Sequence, residues 1–292
     1  MGDLVEDVVV WLEAPPRRGT DTPARVFRRR GGSAANVVSF AALDGSPARF
    51  IGRVGDDPLG ERLVADLAAT GAEVLVQHEG RSGTIVVLVE PGGERTMLPD
   101  RGACTELAGV PAEWLDGIAV LHLPAYSLVV EPLGATARSL ATQSRHRGAL
   151  LSIDASSVDV LERFGPGAFR RLLADLAPDV VLANADEAVV LDLAGAPIGR
   201  LVVVKSGPAP VTVIDAAGGR TTVPVPQLAT VADTTGAGDA FAAGFLAALA
   251  AGAGPTDAAV AGNRLAARVL TQPGASLGGD PAPPTPAGGH PA

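Results

Sequence analysis

From residue 120 onward, short apolar runs of strand length alternate with segments of helical spacing, and this alternation constrains the fold more than any other feature of the chain. Runs 120–123, 150–153, 180–183 and 201–204 are short and rich in Val, Leu and Ile, whereas 168–176 and 187–193 repeat apolar residues at helical intervals. Strand-helix-strand order favours right-handed crossovers. It predicts an α/β fold, a doubly wound and mostly parallel sheet flanked by helices, with ligands at the C-terminal ends of the strands. Ahead of that region, 8–12, 84–89 and 95–98 alternate apolar and polar residues, with Pro91-Gly92-Gly93 dividing the last two. These read as antiparallel strands, the last pair a hairpin, in a small β-sheet with strands within about 8–30 and 78–101. Helices are expected near 238–251 and 256–271, and the Pro/Gly-rich stretch 278–292 is read as a disordered tail, leaving one domain over 1–277.

Composition narrows the partners. A net charge of -9 with pI near 4.9 excludes an extended nucleic-acid surface, which needs clustered Lys and Arg. The short run Arg28-Arg29-Arg30 reads as a solvated loop. Cys104 is the single cysteine, so no intrachain disulfide forms, and the expected compartment is the cytoplasm. His78, His122, His146 and His290 lack zinc-ligand spacing. Acidic residues interrupt the first apolar stretch, and no run of 18 apolar residues occurs, so neither a signal peptide nor a membrane span is expected.

The stretch Asp233-Thr234-Thr235-Gly236-Ala237-Gly238-Asp239 leads into the apolar helix. Glycines at a helix start let backbone N–H groups turn toward an anion, and the first-turn amides carry the positive end of the helix dipole. Gly236, Ala237 and Gly238 would supply those amides. Asp239, in the first turn, is poised to accept a proton. A carboxylate beside an anion hole suggests phosphoryl transfer, in which a base orients the attacking hydroxyl. An isolated Gly-x-Gly-Asp would equally serve as an acidic helix start with glycines for the turn. A Rossmann fingerprint would need glycine where Phe241 stands, and Gly-Lys-Ser/Thr of a P-loop is missing from the chain.

The same stretch resembles the C-terminal signature of the ribokinase-like (PfkB) carbohydrate kinase family. Gly31-Gly32-Ser33-Ala34-Ala35-Asn36, followed by Ile51-Gly52-Arg53-Val54-Gly55-Asp56-Asp57-Pro58-Leu59-Gly60, resembles its N-terminal signature in order and separation. Asn184-Ala185-Asp186-Glu187 resembles the family's Asn-x-x-Glu motif, and Lys205-Ser206-Gly207 its Lys-x-Gly. The resemblance implies a ribokinase-like fold with a β-sheet lid and ATP-dependent phosphorylation of a hydroxyl on a sugar or sugar-like molecule, with Asp239 as general base. It implies substrate contacts from Asp7, Gly31, Gly32 and Asn36, and nucleotide contacts from Asn184, Lys205, Gly207 and Asn263. Glu187, with Asn184, would act on Mg²⁺ and its waters. Asp233 and Thr235 would form a monovalent-cation site for K⁺, although Gly278 stands where a hydroxyl residue is expected.

Two departures mark this chain. Family members usually have a buried strand before the point where Gly2-Asp3 stands, so a strand of the sheet is expected to be missing or to lie upstream. Asp154-Ala155-Ser156-Ser157 replaces the Asp-Pro-Asn type of sequence common among sugar kinases, which leaves the acceptor open. A nucleoside kinase is the closest alternative, with Phe27, Phe40, Trp11 and Tyr126 as candidate base clamp; a sensor without turnover is a further one. An open lid edge would suit a homodimer.

Overall fold

The chain is described by a computed structural model over residues 1–92, 94–272 and 277. The expected tail, 278–292, lies outside the described residues, as does Gly278.

The alternating segments build β7 (Val120–Pro124), α3 (Leu133–His146), β8 (Leu150–Asp154), α4 (Val158–Phe164), α5 (Pro166–Leu176), β9 (Val180–Asn184), α6 (Ala185–Val190) and β10 (Leu201–Ser206). Strands β7 to β10 are parallel, and the antiparallel strands β11 (Ala209–Asp215) and β12 (Arg220–Val223) extend the sheet to the order β12-β11-β10-β9-β8-β7. Successive strand residues point to opposite faces, so the apolar runs feed two cores. Val181 and Ala183 of β9 join the cluster that includes Leu140 and Leu173, whereas Val180 and Leu182 join Phe241, Phe245 and Leu265.

That second face is covered by α1 (Ser33–Leu43), α7 (Ala237–Ala250) and α8 (Pro255–Leu270). Helix α7 is apolar around most of its circumference because it is enclosed, and Phe241 stacks on Phe245 at 5.8 Å. A Cβ on Gly262 would meet the Phe241 ring at 2.9 Å, so glycine permits the close α7–α8 approach.

Strands β1 (Val5–Leu12), β2 (Ala24–Gly31), β5 (Thr84–Val89) and β6 (Arg95–Asp100) form a separate sheet in the order β2-β1-β5-β6. β5 and β6 form the expected antiparallel hairpin, but β1 and β5 are parallel, which corrects the reading of 8–12 and 84–89 as antiparallel. The chain leaves β2 through α1, β3 (Arg49–Val54), α2 (Pro58–Ala68) and β4 (Glu73–His78) and re-enters alongside β1 in the same direction. Arg28, Arg29 and Arg30 lie in β2 rather than a loop, and Arg28 pairs with the buried Glu6 across the strand pair.

β3 and β4 pair in parallel as a two-stranded unit of their own. The Met1 amine donates to the carbonyl of His122 in β7 (3.0 Å), and the Gly2 N–H donates to that of Ile51 in β3 (3.1 Å). Successive residues therefore reach opposite neighbours, as in a central strand. A groove of about 720 Å³ continues the seam past Ala48, Arg49, Ala119 and Val120. Among the described residues no helix is long and apolar enough to cross a membrane.

Candidate active site

Gly236 is the cap residue just before α7, and its positive φ of 75° is one that a residue with a Cβ adopts only under strain. The turn before it is closed by Asp233, whose Oδ1 accepts from the Thr235 N–H (2.9 Å) and hydroxyl (2.8 Å). Asp239 then falls in the first turn of α7, where no side chain caps the helix. Its carboxylate accepts from Ser33 Oγ at 2.7 Å and from Asn36 Nδ2 at 2.9 Å, both on α1. Burial pushes its pKa up to about 6; these hydrogen bonds and Lys205 oppose the shift, while Asp154 adds to it.

Asp7 approaches from β1. A Cβ on Gly31 would meet its Oδ1 at 2.3 Å, so glycine is required beneath this carboxylate. Gly32, at φ 101°, turns the chain into α1, and a Cβ there would strike the Asp3 carbonyl at 2.2 Å. Asp7 Oδ1 is buried without a hydrogen-bond partner. Burial raises its pKa to about 6, with Arg30 opposing and Asp239 and Glu6 adding to the rise. An acceptor oxygen buried without a donor is costly and is what an incoming hydroxyl would satisfy.

The C-terminal ends of three adjacent parallel strands supply the other wall. Asp154 ends β8, Asn184 ends β9, and Lys205 lies near the end of β10, paired with Asn184 across the sheet. Lys205 Nζ donates to Asp154 Oδ2 at 2.8 Å. Asp154 Oδ1 in turn accepts from the N–H of Ser156, whose φ of 64° is unusual for a residue with a Cβ. Asn184 and Glu187 form a reciprocal capping box at the start of α6. Glu187 is buried, and burial followed by the charge of Asp154 lifts its pKa to about 7.

These groups share one cavity of about 680 Å³. Asp239, Gly236, Ala237, Gly238, Asn184 and Glu187 line it, as do Lys205, Gly207 and Asn263. Asn263 also donates to the carbonyl of Pro224 at 3.1 Å. Asp7 and Gly31 adjoin Asp239 from the small sheet, and Asn36, expected on the substrate, bonds Asp239 directly. Asp233 and Thr235 bond Arg95 of β6. Of the aromatic residues considered as a base clamp, Tyr126 lines the cavity, whereas Phe40 is a fully buried core residue.

Sequence reasoning missed Ser33, Arg95 and the pairing of Asp154 with Lys205. Ser33 lies inside the glycine-rich stretch, where its neighbours drew the attention. Arg95 carries no local signal, since its partners are 138 and 140 residues away.

The pfkB family carbohydrate kinase model matches residues 4–282. The chain is 30% identical to a fructokinase of Klebsiella pneumoniae over 276 residues, covering 86% of this chain and 83% of that protein. It is 32% identical to the fructokinase of Escherichia coli over 161 residues, a match that spans 53% of this chain and about half, 48%, of that relative. Among solved structures, adenosine kinase from Sinorhizobium meliloti superposes with a TM-score of 0.83 at 25% identity, covering 97% of this chain and 94% of that one. Fold, signature segments and relatives agree, and the chain belongs to the pfkB family of carbohydrate kinases.

Proposed function

We propose that this protein transfers the γ-phosphoryl group of ATP to a hydroxyl of a sugar or sugar-like molecule, with Asp239 as the general base. The observation that carries the reading is the position of Asp239. It sits in the first turn of α7, held by Ser33 and Asn36, between Asp7 on one side and the nucleotide-sized cavity on the other. A neighbouring hydroxyl of the acceptor would donate to Asp7 Oδ1, while the reacting hydroxyl would donate to Asp239 and pass its proton there as its oxygen bonds the γ-phosphorus and ADP leaves. The N–H groups of Gly236, Ala237 and Gly238 would face the developing charge, where fixed dipoles stabilise it without reorganisation. The small sheet that carries Asp7 acts as a lid, excluding water from the acceptor. The adenine would lie against the apolar stretch of the cavity formed by Val225, Leu228, Ala266 and Leu270.

Among the described residues no cluster of three or more His, Cys, Asp or Glu side chains is arranged to hold a metal ion. The donor chemistry nevertheless suits Mg²⁺ bound chiefly through waters and nucleotide phosphates. Asp154, Glu187 and Asp239 line the cavity against the ammonium of Lys205, and the pKa values of Glu187 and Asp239 are raised first by burial and then by the charge of Asp154. Glu187 and Asn184 would hold the ion's waters, and Mg²⁺ would neutralise charge on the phosphates.

One observation favours a nucleoside as acceptor. Cross-strand pairing puts Val9, Trp11 and Phe27 on the same face of the small sheet as Asp7, an apolar strip flanked by Arg25 and Arg29 on which a base could rest. ADP release with MgATP against pentoses, hexoses, sugar acids and nucleosides separates the two acceptors. Turnover on one class supports the proposal and names the class; ATP binding with no turnover on any class refutes it.

A further inference from the structure

The pair Asp233 and Thr235, implied by resemblance to hold K⁺, is engaged by a side chain from the other sheet. Arg95, the first residue of β6, donates from Nη2 to Asp233 Oδ1 at 2.6 Å and from Nη1 to Thr235 Oγ1. The same Asp233 oxygen receives the Thr235 N–H and hydroxyl. The two oxygens that a small cation would need are thus bridged by one planar guanidinium. A K⁺ ion requires several oxygens around a point charge, whereas Arg brings a single positive charge in a rigid fork of donors. The side-chain oxygens here do not fit both cations at once.

Burial works against ionisation of Asp233, but Arg95 and Thr235 outweigh it and hold the carboxyl below its usual range. Arg95 is tethered to the lid through its pairing with Val89, so its charge is present at high effective concentration whatever the salt. The loop it holds leads within one residue to Gly236, where the anion hole begins.

We propose that Arg95 is a built-in monovalent cation: its guanidinium replaces K⁺ at Asp233 and Thr235, orders the loop ahead of the anion hole, and latches the lid to it. Its effect on turnover rests on the kinase reading above, but its occupancy of the loop does not. Arg95 is a positioning residue, since it reaches the reacting phosphoryl group only through this loop.

Turnover and thermal melting are measured for wild-type protein and Arg95→Ala in Na⁺, K⁺ and N-methylglucamine salts at equal ionic strength, with and without a few millimolar guanidinium. The wild type is expected to melt at the same temperature in all three salts and to turn over at equal rates. Arg95→Ala is expected to lose turnover at least about tenfold and to regain part of it with K⁺ or guanidinium but not with Na⁺. Its melting temperature should acquire the same selectivity. A wild type selectively activated or stabilised by K⁺ overturns the proposal, as does an Arg95→Ala protein that gains no cation selectivity. A wild type without turnover on any acceptor, combined with the predicted melting pattern, would sink the kinase reading and leave the latch standing.

Discussion

Asp239 carries an internal conflict. Ser33 and Asn36 donate to its carboxylate, which favours the charged form, while burial and Asp154 favour the neutral one, and burial prevails. With a pKa of about 6, Asp239 is ionised at neutral pH yet basic enough to take a proton, as the proposed role of general base requires. Turnover should therefore fall about tenfold per pH unit below about 6, as a pH-rate profile would show. Stability moves the opposite way. The folded-state pKa lies above the ordinary value of 3.8, so the folded protein binds the proton more tightly, and stability is lost as pH rises from about 4 through 6. Lys205 poses the complementary case. Lys205→Met leaves Asp154 without its ammonium in a largely buried site and should cost about 3–5 kcal/mol in chemical denaturation. Adding Asp154→Asn should recover much of that loss, and a double mutant no more stable than Lys205→Met would show that the pair is not coupled.

At the scale of elements, strand ends and helix starts do the positioning, and these are what the sequence makes most visible. Gly236 and Gly238 fall at the start of α7 as the sequence predicts, and β8, β9 and β10 end within two residues of their expected ends, because glycine spacing and apolar run length are local signals. β2 was not anticipated as a strand, since Arg25, Arg28, Arg29 and Arg30 break the alternation. Its formation depends on pairing with β1 and on the contact of Arg28 with Glu6, neither of which is local. The direction of β5 relative to β1 was misread for the same reason, because direction is set by the β3–α2–β4 excursion between them. Gly31→Ala tests the element that joins lid to site. Its Cβ would displace the Asp7 carboxylate, so KM for the acceptor should rise at least about tenfold while KM for ATP is unchanged. Equal changes in both would place Asp7 away from the acceptor.

At the scale of the whole molecule, the site is divided between two sheets. The large sheet supplies the cavity, with Asp154, Asn184 and Lys205 at its strand ends, and α7 supplies Asp239 and the amides of its first turn. The small sheet supplies Asp7 and, through Arg95, reaches the loop before α7. Residues more than 200 positions apart meet at Asp239, and only long-range folding brings them there. The motifs pointed to Asn36 and Asp239 separately, but the Ser33 and Asn36 bonds to Asp239 depend on α1 packing against α7, which no single segment encodes. The most direct test of the account is ADP release by Asp239→Asn with MgATP and the acceptor identified for the wild type, beside a measurement of ATP affinity. The account predicts a fall in kcat of about 10²–10⁴-fold with ATP affinity unchanged, whereas near-normal kcat would contradict Asp239 as the base.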